Sequence, residues 1–223
     1  MRFALLFLAI FGAAAAAQPR YDDAAFREEA AVQYRKILAS VAAKGQLDDD
    51  PVFLARTRRI AAGLVVAASQ VRPDSAAWSW EIHVTGDRSK GASCMAGSKI
   101  LVASELVRRM ALTDGELAML LAHEIAHAVA DHRRAASRLT MESDATEEAR
   151  EAAAALAQED EADRIGIELA HRAGWPAASL VTFFDKLAAQ ESAGTFSASH
   201  SPAAARAAAA RILAEKLARS ASK

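Results

Sequence analysis

Apolar residues recur every three or four positions over most of the chain, which is the spacing of amphipathic helices. This pattern predicts a first helix from Tyr21 to about Ala43. Asp50 and Pro51 fit the cap and the first position of a second helix, which is expected to end before Pro73. The first part of the chain is therefore expected to be helical.

The pattern changes to a period of two in the next segment. Between Trp78 and Val84 apolar residues alternate with polar ones, as in a half-buried strand. His83 falls on the polar side of this alternation, where we expect it to be exposed. Two further short strands are predicted at Ala92–Met95 and Lys99–Ala103. The sequence thus predicts a small β-sheet.

A capping box follows the predicted sheet, after a short helix expected from Glu105 to Met110. Thr113 and Glu116 stand three residues apart, so each side chain can bond the backbone N–H of the other. The helix that they open is predicted to run to about His132. It is apolar on nearly every face, which is typical of a central buried helix.

The rest of the chain again has helical patterns. A long helix is predicted from about Glu147 to about Ala173, and Pro176 begins another. Residues 192–201 are expected to form a loop, after which Pro202 opens an alanine-rich final helix. The predicted fold class is α+β and mostly α-helical, with a small β-sheet before the central helix. We expect one domain over residues 18–223.

The first 17 residues have the pattern of a secretory signal peptide. Arg2 precedes a short apolar run, and small residues follow it as far as Ala17, where we expect cleavage. An uncleaved N-terminal anchor is the alternative, although the apolar run is short for a membrane span. We therefore predict an exported protein whose mature chain has no transmembrane segment.

Composition narrows the possible partners. The formal net charge of −1 gives no reason to expect a nucleic acid. Cys94 is the only cysteine, which excludes a disulfide within the chain. It lies in a predicted strand without an evident activating base, so we expect a small buried residue rather than a nucleophile.

The central helix carries the pattern H-E-x-x-H at residues 123–127. His123 and His127 are four residues apart, so on a helix they lie one turn apart on the same face and can hold one metal ion. Glu124 is then placed to act as a general base on a water. Zinc suits such a site, with one ion per chain. The alternative is a core helix whose histidines are hydrogen-bonded to backbone.

A third ligand is needed for a catalytic zinc site. The metzincin pattern fails because Ala130 and Arg133 stand where it requires glycine and histidine. We expect His132 to be a polar residue at the helix end. The better candidate is on the long helix, where Glu159 can bind the metal while Asp163, four residues on, braces a histidine. Glu161 would point elsewhere, and an ordinary acidic helix face is the alternative.

Together these motifs resemble the HtpX-like family of gluzincin zinc peptidases, which includes the Oma peptidases and BepA. The resemblance extends roughly from Trp80 to Arg211, with several motifs in the family's order. The matching residues are His123, Glu124 and His127; Glu159, Ala162 and Asp163; the hairpin from Cys94 to Ile100; the lead-in from Glu116 to Ala122; and Ser199 to Pro202 with Arg206. The chain departs from the family around Cys94, and Ser201 separates His200 from the proline.

The resemblance implies a zinc-dependent endopeptidase that acts on polypeptides. It implies zinc held by His123, His127 and Glu159, with Glu124 as base and with His200 or Arg206 as a cation that stabilises the oxyanion. It further suggests a minimal soluble member in the periplasm, acting in protein quality control on exported or envelope proteins. Two alternatives are a zinc-binding chaperone or latent regulator without turnover, and a helical interaction protein whose motifs are accidental. The sequence does not indicate an oligomeric state.

Overall fold

The computed structural model describes residues 23–95, 98–132, 147–192 and 201–221. In these ranges it has seven α-helices: α1 (Asp23–Ala42), α2 (Pro51–Val71), α3 (Ser104–Arg109), α4 (Asp114–Val129), α5 (Glu147–Arg172), α6 (Ala177–Ser192) and α7 (Ala203–Ala221). Three strands complete them: β1 (Glu81–Thr85), β2 (Ala92–Met95) and β3 (Lys99–Ala103). The predicted α+β class with mostly helical content is confirmed. The proposed signal peptide and His200 lie outside the described residues.

Helix α4 lies at the centre of the structure. The predicted capping box begins it: the Thr113 N–H donates to Glu116 Oε2 at 2.8 Å, and the Glu116 N–H donates to Thr113 Oγ1 at 3.4 Å. Most of its residues are buried, and it packs against α2, α5, α6 and β2. Burying apolar side chains on nearly every face of one helix is a large part of what stabilises this fold.

The end of α4 differs from the prediction. The helix stops at Val129 instead of reaching His132, because Asp131 adopts a left-handed backbone conformation with φ of 59°. Arg72, which follows α2, holds this turn: its Nη1 donates to the Val129 carbonyl at 2.9 Å and lies 3.3 Å from Asp131 Oδ2. The turn directs His132 back towards the helix that it follows.

The sheet has β3 in the middle, parallel to β1 and antiparallel to β2. Strand β1 begins at Glu81, later than the predicted start at Trp78. The reason is that Pro73–Ala77 form a 3₁₀ helix, and the indole N–H of Trp80 donates to the Ser75 carbonyl at 3.1 Å. Strand β2 is an outer strand of the described sheet and contacts α4. The sheet therefore places one strand edge beside the central helix.

The strands carry two residues with reactive side chains, Cys94 in β2 and His83 in β1. Cys94 is buried at 1% exposure, as predicted. His83 was expected to be exposed, but its side chain is only 21% exposed and its Nδ1 lies 2.7 Å from Asp48 Oδ2. Asp48 also accepts from the Val84 N–H at 2.9 Å, which ties the segment before α2 to β1. His83 thus takes part in the contact between β1 and the segment before α2.

Among the described helices, none has both the length and the apolar character that are needed to cross a membrane.

Candidate metal centre

Two helices bring three possible metal ligands together. His123 and His127 project from α4, and their Nε2 atoms are 3.1 Å apart. Glu159 of α5 places Oε2 at 3.3 Å from His123 Nε2 and Oε1 at 3.4 Å from His127 Nε2. In the described part of the chain, these three residues form the cluster of His, Cys, Asp or Glu side chains that can hold a metal ion.

The spacing of the donor atoms fits zinc. Bonds of about 2.0–2.1 Å from a tetrahedral zinc ion place neighbouring donor atoms about 3.3 Å apart. The three separations in the cluster, 3.1, 3.3 and 3.4 Å, lie close to that edge length. Two imidazoles and one carboxylate leave the fourth corner open, which is the arrangement of a catalytic rather than a structural zinc site.

A glycine allows α5 to approach α4 closely enough for this geometry. A Cβ atom on Gly166 would lie 3.0 Å from the backbone nitrogen of His123 and 3.2 Å from the carbonyl carbon of Ala122. Ala162 and Ala170, on either side of this glycine along α5, are fully buried. Small residues at this contact therefore set the distance between the helix that carries the histidines and the helix that carries Glu159.

Behind His123 lies a buried ion pair. Asp163 Oδ1 is 2.9 Å from His123 Nδ1. Arg206 of α7 binds the same carboxylate with two N–H groups: Nε donates to Oδ2 at 2.7 Å and Nη2 donates to Oδ1 at 2.8 Å. Burial raises the pKa of Asp163, but its hydrogen bonds to Arg206 and His123 lower the pKa by a larger amount, so the net shift is downward. The carboxylate thus remains charged beside His123.

These contacts place Arg206 differently from the sequence-based expectation. That expectation had Arg206 facing the reacting carbonyl as an oxyanion-stabilising cation. In the structure its guanidinium is buried, is engaged by Asp163 and lies 5.6 Å from the centre of the Phe184 ring. The contacts therefore connect Arg206 to the metal cluster through Asp163 and His123. His200, the other candidate for the oxyanion role, lies outside the described residues.

A second histidine–carboxylate pair, which the sequence analysis missed, lies behind His127. His132 is buried at 4% exposure, and its Nδ1 is 2.9 Å from His127 Nδ1. Its Nε2 lies 3.4 Å from Glu161 Oε2. Burial, followed by the nearby His127, lowers the pKa of His132. His132 follows the end of α4, as expected, but it lies buried between His127 and Glu161. Glu161 is not one of the three clustered residues and contacts His132 instead.

Glu124, the predicted general base, is buried in α4 next to His123. Burial lowers the pKa of His123, but hydrogen bonds to Asp163 and Glu159 and the charge of Glu124 oppose this and raise it to about 9. Without metal, this group of carboxylates stabilises a proton on His123. A divalent cation at the same place satisfies the same negative charge, so metal and proton compete for the imidazole.

One comparison with known proteins gives a match. The family model of peptidase family M48 matches residues 55–146, which is less than half of the chain. The matched span contains His123, Glu124 and His127 but ends before Glu159, which the fold brings to the cluster from α5. No curated protein matches the chain. The matched span is thus similar to peptidase family M48, a family of zinc metallopeptidases, and the similarity includes the helix that carries the two histidines.

Proposed function

We propose that the protein is a zinc-dependent endopeptidase that holds one zinc ion per chain. The observation that supports this best is the cluster of His123, His127 and Glu159, whose donor atoms are 3.1–3.4 Å apart. Their spacing suits a tetrahedral ion with one open corner, and Glu124 adjoins the first ligand. The similarity of residues 55–146 to peptidase family M48 agrees with this chemistry.

In the proposed reaction each residue has a separate task. A zinc ion held by His123, His127 and Glu159 would act as a Lewis acid that polarises the substrate carbonyl and lowers the pKa of a water toward about 7. The Glu124 carboxylate takes a proton from the attacking water and delivers it to the leaving nitrogen as the peptide bond breaks. Asp163 accepts the Nδ1 proton of His123 and thereby keeps Nε2 directed at the metal.

The supporting role of Arg206 follows from its contacts. Its two N–H groups fix both oxygens of Asp163, so the carboxylate cannot rotate away from His123. We therefore assign Arg206 to positioning, and His200 remains the candidate for stabilising the oxyanion.

Strand β2 offers a place for the substrate backbone. It is bonded to β3 on one side, is an outer strand of the described sheet and contacts α4. An extended peptide can add to such an edge through main-chain hydrogen bonds. We propose that the substrate binds there, with its scissile bond at the cluster. Methylation of alternate backbone nitrogens in a peptide substrate should then raise KM; an unchanged KM at every position would contradict binding at an edge.

The central experiment compares wild type with Glu124→Gln. Purified residues 18–223 are tested for cleavage of an unstructured protein, with a chelator and after zinc is restored, while bound zinc is measured. We expect chelator-sensitive cleavage in the wild type. Glu124→Gln should retain zinc but lose about 100-fold or more in kcat, because the amide cannot take the proton. Full activity in this variant would contradict the mechanism, and zinc binding without cleavage in the wild type would favour a chaperone or latent regulator.

We also propose that the chain is an exported HtpX-like member that acts in the periplasm on unfolded or misassembled envelope proteins. The signal-peptide pattern of residues 1–17 and the family resemblance support this proposal. N-terminal sequencing of the exported protein should give a start at Gln18. A mature chain that still begins at Met1 would contradict cleavage. Accumulation of the same envelope proteins in a deletion strain and in a Glu124→Gln strain would test the substrate class.

A further inference from the structure

The proposed reaction leaves one buried histidine without a task. His132 is 4% exposed and lies in contact with the proposed ligand His127. The two rings are arranged edge to face, with their centres 5.0 Å apart. The two ring nitrogens of His132 face different partners: Nδ1 is 2.9 Å from His127 Nδ1, and Nε2 is 3.4 Å from Glu161 Oε2. A continuous row of polar groups thus extends from the cluster through His127 and His132 to Glu161.

The proton positions in this row follow from the chemistry of the ligand. When a neutral imidazole binds a metal through Nε2, its proton is on Nδ1. The Nδ1–H of His127 then needs an acceptor at 2.9 Å, and the atom at that distance is His132 Nδ1. His132 must therefore be neutral with its own proton on Nε2, which donates to Glu161. An imidazolium at His132 would instead place two N–H groups against each other.

We infer that His132 and Glu161 are positioning residues for His127, an inference that rests on the zinc site of the proposed function. His132 accepts the Nδ1 proton of His127 and so fixes both the tautomer and the ring orientation that present Nε2 to the metal. Glu161 fixes the tautomer of His132 in turn. The row provides for His127 what a carboxylate commonly provides directly for a metal-binding histidine.

The turn after α4 is built to put His132 in this place. If the helix continued, the side chain five residues after His127 would lie on a different face of the helix. The left-handed Asp131 breaks that course, and Arg72 holds the turn through the Val129 carbonyl and the Asp131 carboxylate. The contact between His132 and His127 therefore depends on a specific backbone conformation that is anchored from α2.

The test compares two variants of His132, one that fills the space without a hydrogen-bond acceptor and one that keeps an acceptor. His132→Leu fills the space without an acceptor, whereas His132→Asn can place its amide oxygen close to the position of Nδ1. Zinc affinity is measured by competition with a chelator, and the visible spectrum of the cobalt-substituted protein reports the ligand geometry. We expect about 10-fold to 100-fold weaker zinc binding and an altered cobalt spectrum in His132→Leu. His132→Asn should bind zinc within about threefold of wild type.

A matched control is His83→Leu, which removes a partly buried histidine that also contacts a carboxylate, that of Asp48. Its zinc affinity should equal that of wild type. Equal losses in His132→Leu and His132→Asn would assign a packing role to His132 and overturn the inference, as would unchanged affinity in both. If wild type itself binds no zinc, the proposed function fails; wild-type binding with an unaffected His132→Leu contradicts only the inference.

Glu161 gives a second test that does not depend on the folding of His132→Leu, because its side chain is 49% exposed. Glu161→Ala should weaken zinc binding by about threefold, less than the loss at His132, since solvent can replace an exposed acceptor. Glu168 is the matched control: it also lies on α5 and pairs with Arg164, at 3.0 Å, as Glu161 does at 3.8 Å. The same loss of zinc affinity in Glu168→Ala and Glu161→Ala would overturn the role of Glu161.

In the zinc-loaded wild type, nitrogen NMR should find His132 protonated at Nε2, and a proton on Nδ1 would contradict the inference.

Discussion

The two histidines of the candidate metal cluster are supported in different ways. His123 contacts Asp163 directly, and Arg206 from a third helix fixes that carboxylate; the two charged side chains are only 11% and 6% exposed. His127 contacts the imidazole of His132, and the carboxylate beyond it, that of Glu161, is 49% exposed. One support is thus a buried ion pair between α5 and α7, and the other is a short row of groups that ends in solvent.

This difference determines how each support responds to change. A buried charge that loses its partner is costly, so the support of His123 should fail as a unit and affect folding as well as metal binding. Water can replace an exposed carboxylate, so the support of His127 should lose metal affinity in small steps with little effect on folding. The predictions that follow are ordered by the size of the expected effect.

The largest effect is expected from Asp163→Ala. It leaves the Arg206 guanidinium buried without its carboxylate and removes the acceptor of the His123 Nδ1 proton. We expect the free energy of unfolding of the metal-free protein to fall by about 3 kcal/mol or more. Zinc affinity should fall by about 100-fold. Chemical denaturation in the presence of a chelator and a zinc competition assay measure the two losses separately.

The double variant Asp163→Ala/Arg206→Leu is the control for this prediction. It removes the unpaired charge, so most of the stability should return, because a buried ion pair can often be replaced by apolar groups at little cost. Zinc affinity should remain as low as in Asp163→Ala, since His123 still has no acceptor. Recovery of zinc affinity in the double variant would show that Asp163 acts only by neutralising Arg206.

A pH effect on the His123 side comes next in size. Burial lowers the pKa of metal-free His123, but Asp163 and Glu159 raise it to about 9. The raised pKa contributes stability to the metal-free fold below the unfolded pKa of about 6.5, and this contribution is lost as pH rises through about 9. Because zinc needs the neutral imidazole, apparent zinc affinity should rise about tenfold per pH unit between about pH 7 and pH 9.

Calorimetry in two buffers with different ionisation enthalpies tests the origin of this pH effect. Zinc binding at about pH 7 should release about one proton from His123, and at about pH 10 none from that residue. In Asp163→Asn the proton release near neutral pH should be smaller, because one of the carboxylates that raise the pKa is gone. The same release in wild type and in this variant would contradict the role of Asp163.

Local rules along the chain predict one part of this structure and miss another. The capping box of Thr113 and Glu116 depends on residues three apart, and the facing of His123 and His127 on residues four apart, so both follow from helix geometry. The assignment of Glu159 needed a family resemblance in addition, because its spacing alone also fits an ordinary acidic helix face. The sequence therefore predicts the clustering of the candidate ligands better than their surroundings.

The surroundings depend on contacts between distant parts of the chain. Arg206 meets Asp163 across 43 residues, and Arg72 reaches the end of α4 across 57 residues. The second of these contacts lies at the left-handed turn of Asp131, after which His132 is buried against His127. Aspartate adopts the left-handed conformation more readily than most residues, so Asp131 is a weak sequence signal for a turn at this position.

A change at Gly166 should affect both histidines together. An added Cβ would lie 3.0 Å from the His123 backbone nitrogen, so α5 must shift by a few tenths of an ångström away from α4. Glu159, Asp163 and Glu161 all lie on α5, and Gly166→Ala should therefore weaken zinc binding by about tenfold. Zinc competition measures the loss.

Gly63→Ala is the matched control for Gly166→Ala. It also replaces a glycine within a helix, but its Cβ would meet Ala173 Cβ at 4.0 Å, an ordinary contact. It should leave zinc affinity unchanged and stabilise the fold by up to about 1 kcal/mol through better helix propensity. If the two variants bind zinc equally well, the close approach at Gly166 does not set the geometry of the site.

The smallest effect is expected at the turn that carries His132. Asp131→Gly and Asp131→Ala both remove the carboxylate that pairs with Arg72, but alanine also strains a backbone whose φ is 59°, at a cost of about 1 kcal/mol. If the turn holds His132 against His127, the alanine variant should bind zinc about threefold more weakly than the glycine variant, because its competent conformation is less populated. Ala111→Gly relieves a similar strain, at φ of 46°, between α3 and α4, and should raise stability without changing zinc affinity. Equal zinc affinities in the two Asp131 variants, together with a stability difference of about 1 kcal/mol, would show that the turn is strained but does not position His132.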